Sequence, residues 1–393
     1  MNNKNQTIYI IDALRTPIGK LHGALSHIRP DDLTSLLIKG LVNKNAINKE
    51  EIDGIILGCA NQAGEDNRNI ARMASLLAGL PYGSTATTIN SLCSSGMEAM
   101  LNAIKNIALG DGDLYLAGGV ESMSRSPMVT SKVDQTTVDS LIGWRFVNPN
   151  IQQACPPLSM AETAELLAQK YAISRDQQDL YAYHSRQKYQ AALEKNIWRS
   201  EILALADQKK KLWRLDEQHR LLSLDLLTKL PTLVSNGSHI SSGNAARIGD
   251  GAALVAFASR KYIRKHNIQP IAKVKAWASA SCHPSEMSLS AVVAAQKALN
   301  KIDLKTNDLD WIEMSESFAV QTLVCIQELG LDPQKVNPNG GALTIGNPIS
   351  VSSARLVVSL AKEMQRNKKI KYGLATTCAG LGTGTALILE AHN

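Results

Sequence analysis

The sequence predicts an α/β fold made of two similar halves with a long inserted region between them. Three observations support this prediction. Short apolar strands alternate with helical segments over the first 120 residues, the alternation is interrupted from about 121 to 249, and it then resumes to the C-terminus. Such alternation is typical of a parallel or mixed sheet covered by helices. A chain of 393 residues also exceeds one simple core, so two or three domains are expected.

The first half contains seven predicted elements. In chain order they are the strand "TIYIIDAL", the amphipathic helix "DDLTSLLIKGLVNK", the buried strand "IDGIILGCA", the helix "NIARMASLLAGL", the strand "TATTINSLC", the helix "SGMEAMLNAIKNIALG" and the strand "GDLYLAGGVESMS", which enters a loop. In the inserted region, helices such as "MAETAELLAQKYA" and "RDQQDLYAYHSRQKYQAALEKN" lie among long polar loops, as expected of a cap. The strand "IGDGAALVAFAS" then returns the chain to the alternating pattern.

The two alternating regions share a repeated unit, which suggests a duplication with a pseudo-twofold relation. A turn, a helix, a charged turn, a strand and glycine follow one another in "INSLCSSGMEAMLNAIKNIALGDGDLYLAGG" and in "LTIGNPISVSSARLVVSLAKEMQRNKKIKYGLATTCAGLG". Two such halves would place both helix-start turns near one cleft. Cys93 and Asn347 occupy equivalent turns, and Cys378 is expected after the last core strand of the second half.

The bulk composition is that of an ordinary globular protein, with 44% apolar and 20% charged residues. No stretch is long enough to cross a bilayer, and the N-terminal segment lacks the apolar part of a signal peptide, so a cytoplasmic protein without membrane contact is expected. The six cysteines are then expected to be free thiols. None forms a CxxC pair or lies at metal-ligand spacing with a histidine, so no metal site is expected.

The net charge of +7 favours anionic partners. Acidic residues interrupt the densest basic run, 208–220, and no nucleic-acid-binding motif accompanies it, so nucleic acid is not an expected partner. A phosphorylated small molecule, an acidic carrier protein and a solvated basic loop all remain compatible with the charge.

Two cysteines are candidates for chemistry. Cys93 opens a helix after a buried strand, where free N–H groups and the helix dipole would lower the pKa of its thiol, and Gly96 permits a close approach at the first turn. Cys378 precedes the glycines Gly380, Gly382 and Gly384, which suit a backbone close to a bound thioester better than a phosphate loop. If the Cys378 thiol faces Cys93, it could transfer a proton to or from a group bound between them. Each cysteine could instead be a small buried hydrophobe.

The chain resembles the thiolases, the acyl-CoA:acetyl-CoA C-acyltransferases, along essentially its full length. The motifs that carry the resemblance are "DALRTPIGK", "NSLCSSGMEA", "GGVESMSRSP", "SGNAARIGDGAA", "EMSESFA", "VNPNGGALTIGNP" and "CAGLGTGTALILE". Within the family, "GCANQAGEDNRNIARMASLLAGLP" and "IGWRFVNP" look most similar to 3-oxoadipyl-CoA thiolases.

The resemblance implies a fold and a division of the chain. It implies a five-layered αβαβα core formed by the two halves. The N-terminal half would be residues 1–120 with 250–272, the loop domain for CoA binding and assembly 121–249, and the C-terminal half 273–393. A homodimer or homotetramer is implied, with no permanently bound cofactor. The substrate would be an acyl-CoA or acyl-carrier-protein thioester.

The resemblance also implies site residues. Cys93 would be the acylated nucleophile and Cys378 the acid/base at the acetyl carbon, with Asn347 and Ser315 completing the catalytic set. The residues expected to bind CoA are Arg220, Met160, Met287, Ala246, Phe318 and Gly380. Taken alone, the methionine pair could be core filling and Arg220 a solvated surface residue.

The chain departs from the family pattern at several of these positions. Thiolases have histidine at Asn347 and asparagine at Ser315, and a serine and a glycine are expected at Ala246 and Arg247. The usual Gly-x-Gly-Pro after Met287 is also replaced, by residues 288–291. Asparagine can donate a hydrogen bond but cannot accept a proton at neutral pH, and losing a general base costs about 10²- to 10⁴-fold in rate.

Arg247 would add bulk and charge to the pantetheine tunnel if it faced the cleft. His283, the one histidine near the cleft in sequence, is expected at the surface. Two interpretations remain: an altered thiolase-type acyltransferase, which the two retained cysteines favour, and a non-catalytic acyl-CoA-binding subunit of a complex.

Overall fold

The computed structural model describes residues 7–61, 64–139, 141, 143–206, 211–219 and 221–392. The first half contains strands and helices in the order that the sequence predicts, with a two-residue strand added after the first. Their bounds are β1 (Ile8–Arg15), β2 (Gly19–Lys20), α1 (Pro30–Lys44), β3 (Gly54–Gly58), α2 (Ile70–Leu77), β4 (Thr85–Ile89), α3 (Ser95–Leu109) and β5 (Leu114–Ser122).

The region between the halves contains short strands and helices. Their bounds are β6 (Met128–Thr130), β7 (Thr137–Asp139), α4 (Pro149–Ala154), α5 (Met160–Lys170), α6 (Arg175–Glu194), β8 (Leu205–Ala206), β9 (Leu212–Trp213) and α7 (Leu224–Thr228). The two long helices of this region, α5 and α6, each begin with a capping box, in which Ser159 and Ser174 accept hydrogen bonds from free backbone N–H groups.

The rest of the chain completes the sheet. The bounds are β10 (Gly249–Ser259), α8 (Arg260–Lys265), β11 (Ala272–Ser281), α9 (Leu289–Asn300), β12 (Trp311–Met314), α10 (Ala319–Leu329), α11 (Ala342–Ile345), α12 (Ser350–Arg366), β13 (Tyr372–Ala379) and β14 (Thr383–Ala391). Among the described residues the strand order is β12-β13-β14-β11-β1-β10-β5-β3-β4, with β2 paired to β10. The pairs β3–β4, β3–β5 and β12–β13 are parallel and the others antiparallel, which confirms the predicted mixed sheet.

Among the described strands, the two halves of the sheet meet only between β1 and β11, where Tyr9 pairs with Lys273 and Ile10 with Ala272. Helices α3 and α12 contact strands of both half-sheets and share one core cluster with them. Helices α1 and α2 pack on the outer face of the N-terminal half, and α9 and α10 on the outer face of the C-terminal half. These are the five αβαβα layers that the resemblance implies.

Two expectations about element ends are wrong. The strand predicted over "TATTINSLC" ends at Ile89, because the Asn90 side chain accepts the N–H of Leu92 at 3.0 Å and Ser95 Oγ accepts that of Ser91 at 2.8 Å. Such local side-chain bonds compete with strand pairing. Cys378 lies near the end of β13, with β14 still to follow. Both differences affect the turns that carry the candidate thiols.

Candidate active site

Cys93 lies in a single 3-10 turn that leads into α3. Leu92, just before it, has a φ of 51°, which is a strained conformation for a residue with a branched side chain. At the first turn of α3, a Cβ on Gly96 would lie 2.3 Å from the carbonyl oxygen of Ser350, at the start of α12. The predicted close approach at Gly96 is therefore confirmed, and it brings the two helix starts together.

Eight of the ten residues predicted for the site line one cavity of about 380 Å³. They are Cys93, Met160, Ala246, Met287, Phe318, Asn347, Cys378 and Gly380. The volume lies within the range of pockets that bury a small ligand. Ser315 lies behind this cavity, and Arg220 lies outside the described residues.

The backbone N–H groups of Gly380 and of Cys93 itself act to lower the pKa of the Cys93 thiol. Burial nevertheless raises the pKa of the Cys93 thiol to about 11, and the nearby Glu121 carboxylate adds to the rise. The prediction of a lowered pKa is therefore wrong, because two N–H groups offset only part of the cost of burying a thiolate. The resting Cys93 is a neutral thiol at pH 7.

Cys378 is buried at the end of β13, and burial raises the pKa of its thiol strongly. A negative charge on Cys93 would raise that pKa further, so the two sulfurs are close enough to oppose simultaneous ionisation. The Ser315 hydroxyl lies 3.9 Å from the Cys378 sulfur and accepts the Cys378 backbone N–H at 3.4 Å. Ser315 is thus placed at the second thiol.

The Asn347 side chain is held by two hydroxyls. Its amide oxygen accepts a hydrogen bond from Ser352 at 2.6 Å, and its amide nitrogen donates to Ser317 at 3.4 Å. The Asn347 backbone N–H donates to the carbonyl of Arg247 at 2.7 Å. Since an amide nitrogen has two N–H groups, the second remains available for an oxygen in the cavity.

Arg247 does not line the cavity that contains Cys93. Ala246 and Ile248 line that cavity, whereas Arg247 lines a neighbouring one, as expected where an extended backbone points successive side chains in opposite directions. Arg247 was expected to narrow the tunnel only if it faced the cleft, and this condition is not met. His283 is exposed and caps a 3-10 turn, as expected.

The site also contains side chains that were not predicted, and three of them bear on its chemistry. Ser317 and Trp144 line the cavity. The Trp144 ring lies close to Gly380, because a Cβ added to Gly380 would be 3.0 Å from that ring. Glu121 is buried at the end of β5 and accepts the N–H groups of Ala60 and Asn61. All three belong to motifs quoted for the resemblance, but a motif does not tell which of its side chains faces a cavity.

Across the part of the chain described here, no group of three or more His, Cys, Asp or Glu side chains could hold a metal ion. All six cysteines are free. Among the described helices, none combines the length and apolarity that a membrane span requires. Apart from the two thiols, the cavity is lined by uncharged side chains, among the residues with described positions.

Comparison with known proteins places this site in a family. Residues 8–261 match the family model for the thiolase N-terminal domain, and residues 268–391 match that for the thiolase C-terminal domain. A beta-ketoadipyl-CoA thiolase of Pseudomonas aeruginosa is 42% identical, and the match covers 98% of this chain and 99% of that protein. A 3-oxoadipyl-CoA/3-oxo-5,6-dehydrosuberyl-CoA thiolase of Escherichia coli is 43% identical, covering 97% and 98%.

Among solved structures, human mitochondrial 3-ketoacyl-CoA thiolase in complex with CoA is similar, with a TM-score of 0.91. Its sequence is 33% identical, and the match covers 99% of this chain and 98% of that one. The similarity therefore extends over both halves and the region between them.

Proposed function

Because the chain belongs to the thiolase family of acyltransferases, we propose that it transfers an acyl group from a CoA thioester through an acyl-Cys93 intermediate. The observation that carries the proposal is the Cys93 thiol in the wall of a 380 Å³ cavity, with a second thiol in the same wall. The relatives are named for 3-oxoadipyl-CoA, so a 3-oxoacyl-CoA is the proposed substrate class, cleaved or formed at its C–C bond.

In the acylation step on a 3-oxoacyl-CoA, the Cys93 sulfur bonds to the 3-oxo carbon, and the bond from that carbon to the acetyl carbon of the departing acetyl-CoA breaks. The Cys93 thiol gives up its proton and the departing acetyl carbon gains one, so the step is balanced without an external base. The backbone N–H groups of Gly380 and Cys93 both favour negative charge at the Cys93 sulfur, and they would stabilise an oxyanion that forms beside it. The free N–H of Asn347 would polarise an oxygen from another side of the cavity.

In the second step, the sulfur of free CoA would bond to the acyl carbon, the bond from that carbon to the Cys93 sulfur would break, and the CoA proton would return to Cys93. In the acylation step, the Cys378 thiol would donate its proton to the departing acetyl carbon and regain one from Cys93. The neutral resting state of Cys378 suits a proton donor, and Ser315 would orient its sulfur. The proposed ligands of the pantetheine arm are Met160, Ala246, Met287 and Phe318, with Arg220 as the contact to the nucleotide. CoA is therefore a substrate in this proposal, and no permanently bound cofactor is invoked.

We also propose roles for the domains, an oligomeric state and a cellular location. We assign CoA binding and assembly to residues 121–249, between the halves 1–120 with 250–272 and 273–393. A homodimer or homotetramer is supported by the partly exposed strand β4 at the sheet edge, since an unpaired edge can pair with another chain. A cytoplasmic location would keep Cys93 reduced.

One observation favours a second candidate function, a non-catalytic subunit that binds acyl-CoA. Both thiols are neutral at pH 7, and no histidine or carboxylate among the described residues lines the cavity to deprotonate them. A protein of this kind would hold a thioester without exchanging its acyl group.

Intact-mass spectrometry separates the two candidates. The protein is incubated with acetyl-CoA or with 3-oxoadipyl-CoA and weighed. An acyl adduct that is lost in Cys93→Ala and kept in Cys155→Ala, a half-buried cysteine outside the cavity, supports the transferase. Thermal stabilisation by the same thioesters without any adduct would instead support the binding subunit.

A further inference from the structure

A second cavity, of about 80 Å³, lies on the other side of the wall that bounds the Cys93 cavity. Ala246, Ile248 and Asn347 face the Cys93 cavity, while Arg247 and Gly346 line the second one. A single water needs about 10–15 Å³ of such space, so the second cavity has room for a group of several atoms.

Two guanidinium groups line this second cavity, Arg186 from α6 and Arg247 from the segment before β10. Arg186 is only 3% exposed, and its terminal nitrogens donate to the carbonyls of Ala182 and Gly243, both at 2.9 Å. Within the described part of the chain, neither arginine forms an ion pair, and Arg247 makes no side-chain hydrogen bond. Arg247 is exposed, whereas Arg186 is a buried charge without an acidic partner among the residues described. Buried charges are normally paired, so Arg186 lacks a counterion.

The nearest acidic side chains are occupied elsewhere. Glu316 accepts hydrogen bonds from Tyr181 at 2.8 Å and from Ser185 at 2.9 Å. Asp179 is paired with Arg175 at 2.6 Å. Burial and the positive charge of Arg247 lower the pKa of Arg186 to about 10, and the two carboxylates offset only part of this shift. An anion bound between the two arginines would oppose this lowering of the Arg186 pKa.

Neutral hydrogen-bonding groups complete the second cavity. Thr344 lines it and is 2% exposed, and its hydroxyl oxygen has no hydrogen-bond partner among the described residues. The Gln218 side chain also lines it and uses one N–H to reach the carbonyl of Ile248 at 3.2 Å. A buried hydroxyl without a partner is uncommon, and an oxygen-bearing ligand would satisfy it.

We propose that the cavity between Arg186 and Arg247 binds an anionic oxygen group of the thioester substrate, either a terminal carboxylate on the acyl chain or a phosphate of CoA. Guanidinium groups bind both by paired N–H···O bonds, and a hydroxyl can donate a third bond. This inference rests on the proposed function only in taking a CoA thioester as the ligand.

Calorimetric titration of the Cys93→Ala protein tests the site, because this variant binds thioesters without being acylated. Adipyl-CoA and hexanoyl-CoA form the central pair of ligands, since they match in length and differ in the terminal carboxylate. The pantetheine thioester of hexanoic acid, which lacks the nucleotide phosphates, is the third ligand. Each is compared with and without the additional change Arg247→Gln.

If the site takes the carboxylate, Arg247→Gln weakens adipyl-CoA binding about tenfold or more and leaves hexanoyl-CoA unchanged. If it takes a phosphate, both CoA thioesters weaken alike and the pantetheine thioester does not. In either case Arg247→Lys recovers only part of the affinity, because lysine keeps the charge but loses the paired N–H groups. The exposed Arg264→Gln, in α8, serves as the matched control.

Equal affinities in Arg247→Gln and Arg264→Gln for all three ligands would overturn the anion site. The outcome is independent of the proposed function. Absence of an acyl adduct on the unmodified protein would refute transfer through Cys93, while the titrations would still report on the arginines.

Discussion

The turns before α3 and α12 are built alike and carry different chemistry. Each includes a non-glycine residue at positive φ, Leu92 at 51° and Ile349 at 31°, and each presents a polar residue, Cys93 or Asn347, to the same cavity. The duplicated halves thus bring two helix starts to one place. The scaffold determines where the side chains lie, and the residue at each turn determines what the site can do.

The two residues differ in how their surroundings hold them. The Cys93 sulfur is a neutral thiol whose pKa is raised by burial and only partly lowered by two backbone N–H groups, whereas the Asn347 amide is fixed by the hydroxyls of Ser352 and Ser317. The Asn347 turn therefore supplies a positioned hydrogen-bond donor but no proton acceptor. A site of this kind can stabilise an oxyanion while leaving its nucleophile protonated.

Changing Asn347 to histidine should remove this difference and produce the largest effect. With Ser315→Asn added, we expect the rate of Cys93 acylation by acetyl-CoA at pH 7 to rise about 10²- to 10⁴-fold, because an imidazole can accept the thiol proton. Time-resolved intact mass measures the rate.

The matched control is Asn347→Gln, which keeps an amide and adds no base, and it should give no gain. An unmodified protein that already acylates as fast as the histidine variant would show that the missing base does not limit the reaction.

The pH dependence of the unmodified protein should show the next largest effect. With a thiol pKa of about 11, only about one Cys93 in 10⁴ is a thiolate at pH 7, and this fraction grows tenfold with each pH unit. Alkylation of Cys93 by iodoacetamide, followed by peptide mass, should therefore accelerate about hundredfold from pH 7 to pH 9. A rate that levels off below pH 9 would contradict a raised pKa.

The sequence was enough to predict the architecture and eight of the residues that line the cavity. Alternating apolar strands and amphipathic helices predicted the order of β1 to β5, because these elements bury regular apolar faces. The two equivalent turns correctly placed Cys93 and Asn347 at one cavity. Resemblance, and not residue pattern, supplied Met160 and Met287.

The electrostatics of the site could not be predicted in the same way. The pKa of Cys93 depends on how deeply its sulfur is buried and on Glu121, which lies at the end of β5 and is distant in sequence. Which cavity the Arg247 side chain faces depends on how side chains alternate along an extended segment outside the regular strands. Arg186, the other arginine of that cavity, comes from α6. Such quantities depend on three-dimensional neighbours, which a motif does not contain.

The smallest effect should come from the hydroxyl that orients Asn347. Ser352→Ala removes the 2.6 Å hydrogen bond to the amide oxygen and frees the side chain to rotate away from the cavity. A hydrogen bond of this kind contributes about 0.5–1.5 kcal/mol, so acylation of Cys93 should slow roughly two- to tenfold. Ser359→Ala, on the same helix and facing Arg355 and Glu201, is the matched control.

This last change also tests which role Asn347 has. If its amide polarises the thioester, Ser352→Ala slows the unmodified protein and has no further effect once Asn347→Ala has removed the amide. Equal slowing in both backgrounds would mean that Ser352 acts on the helix start itself. The Asn347 turn would then be a structural counterpart of the Cys93 turn, and the oxyanion would depend on the backbone N–H groups of Cys93 and Gly380 alone.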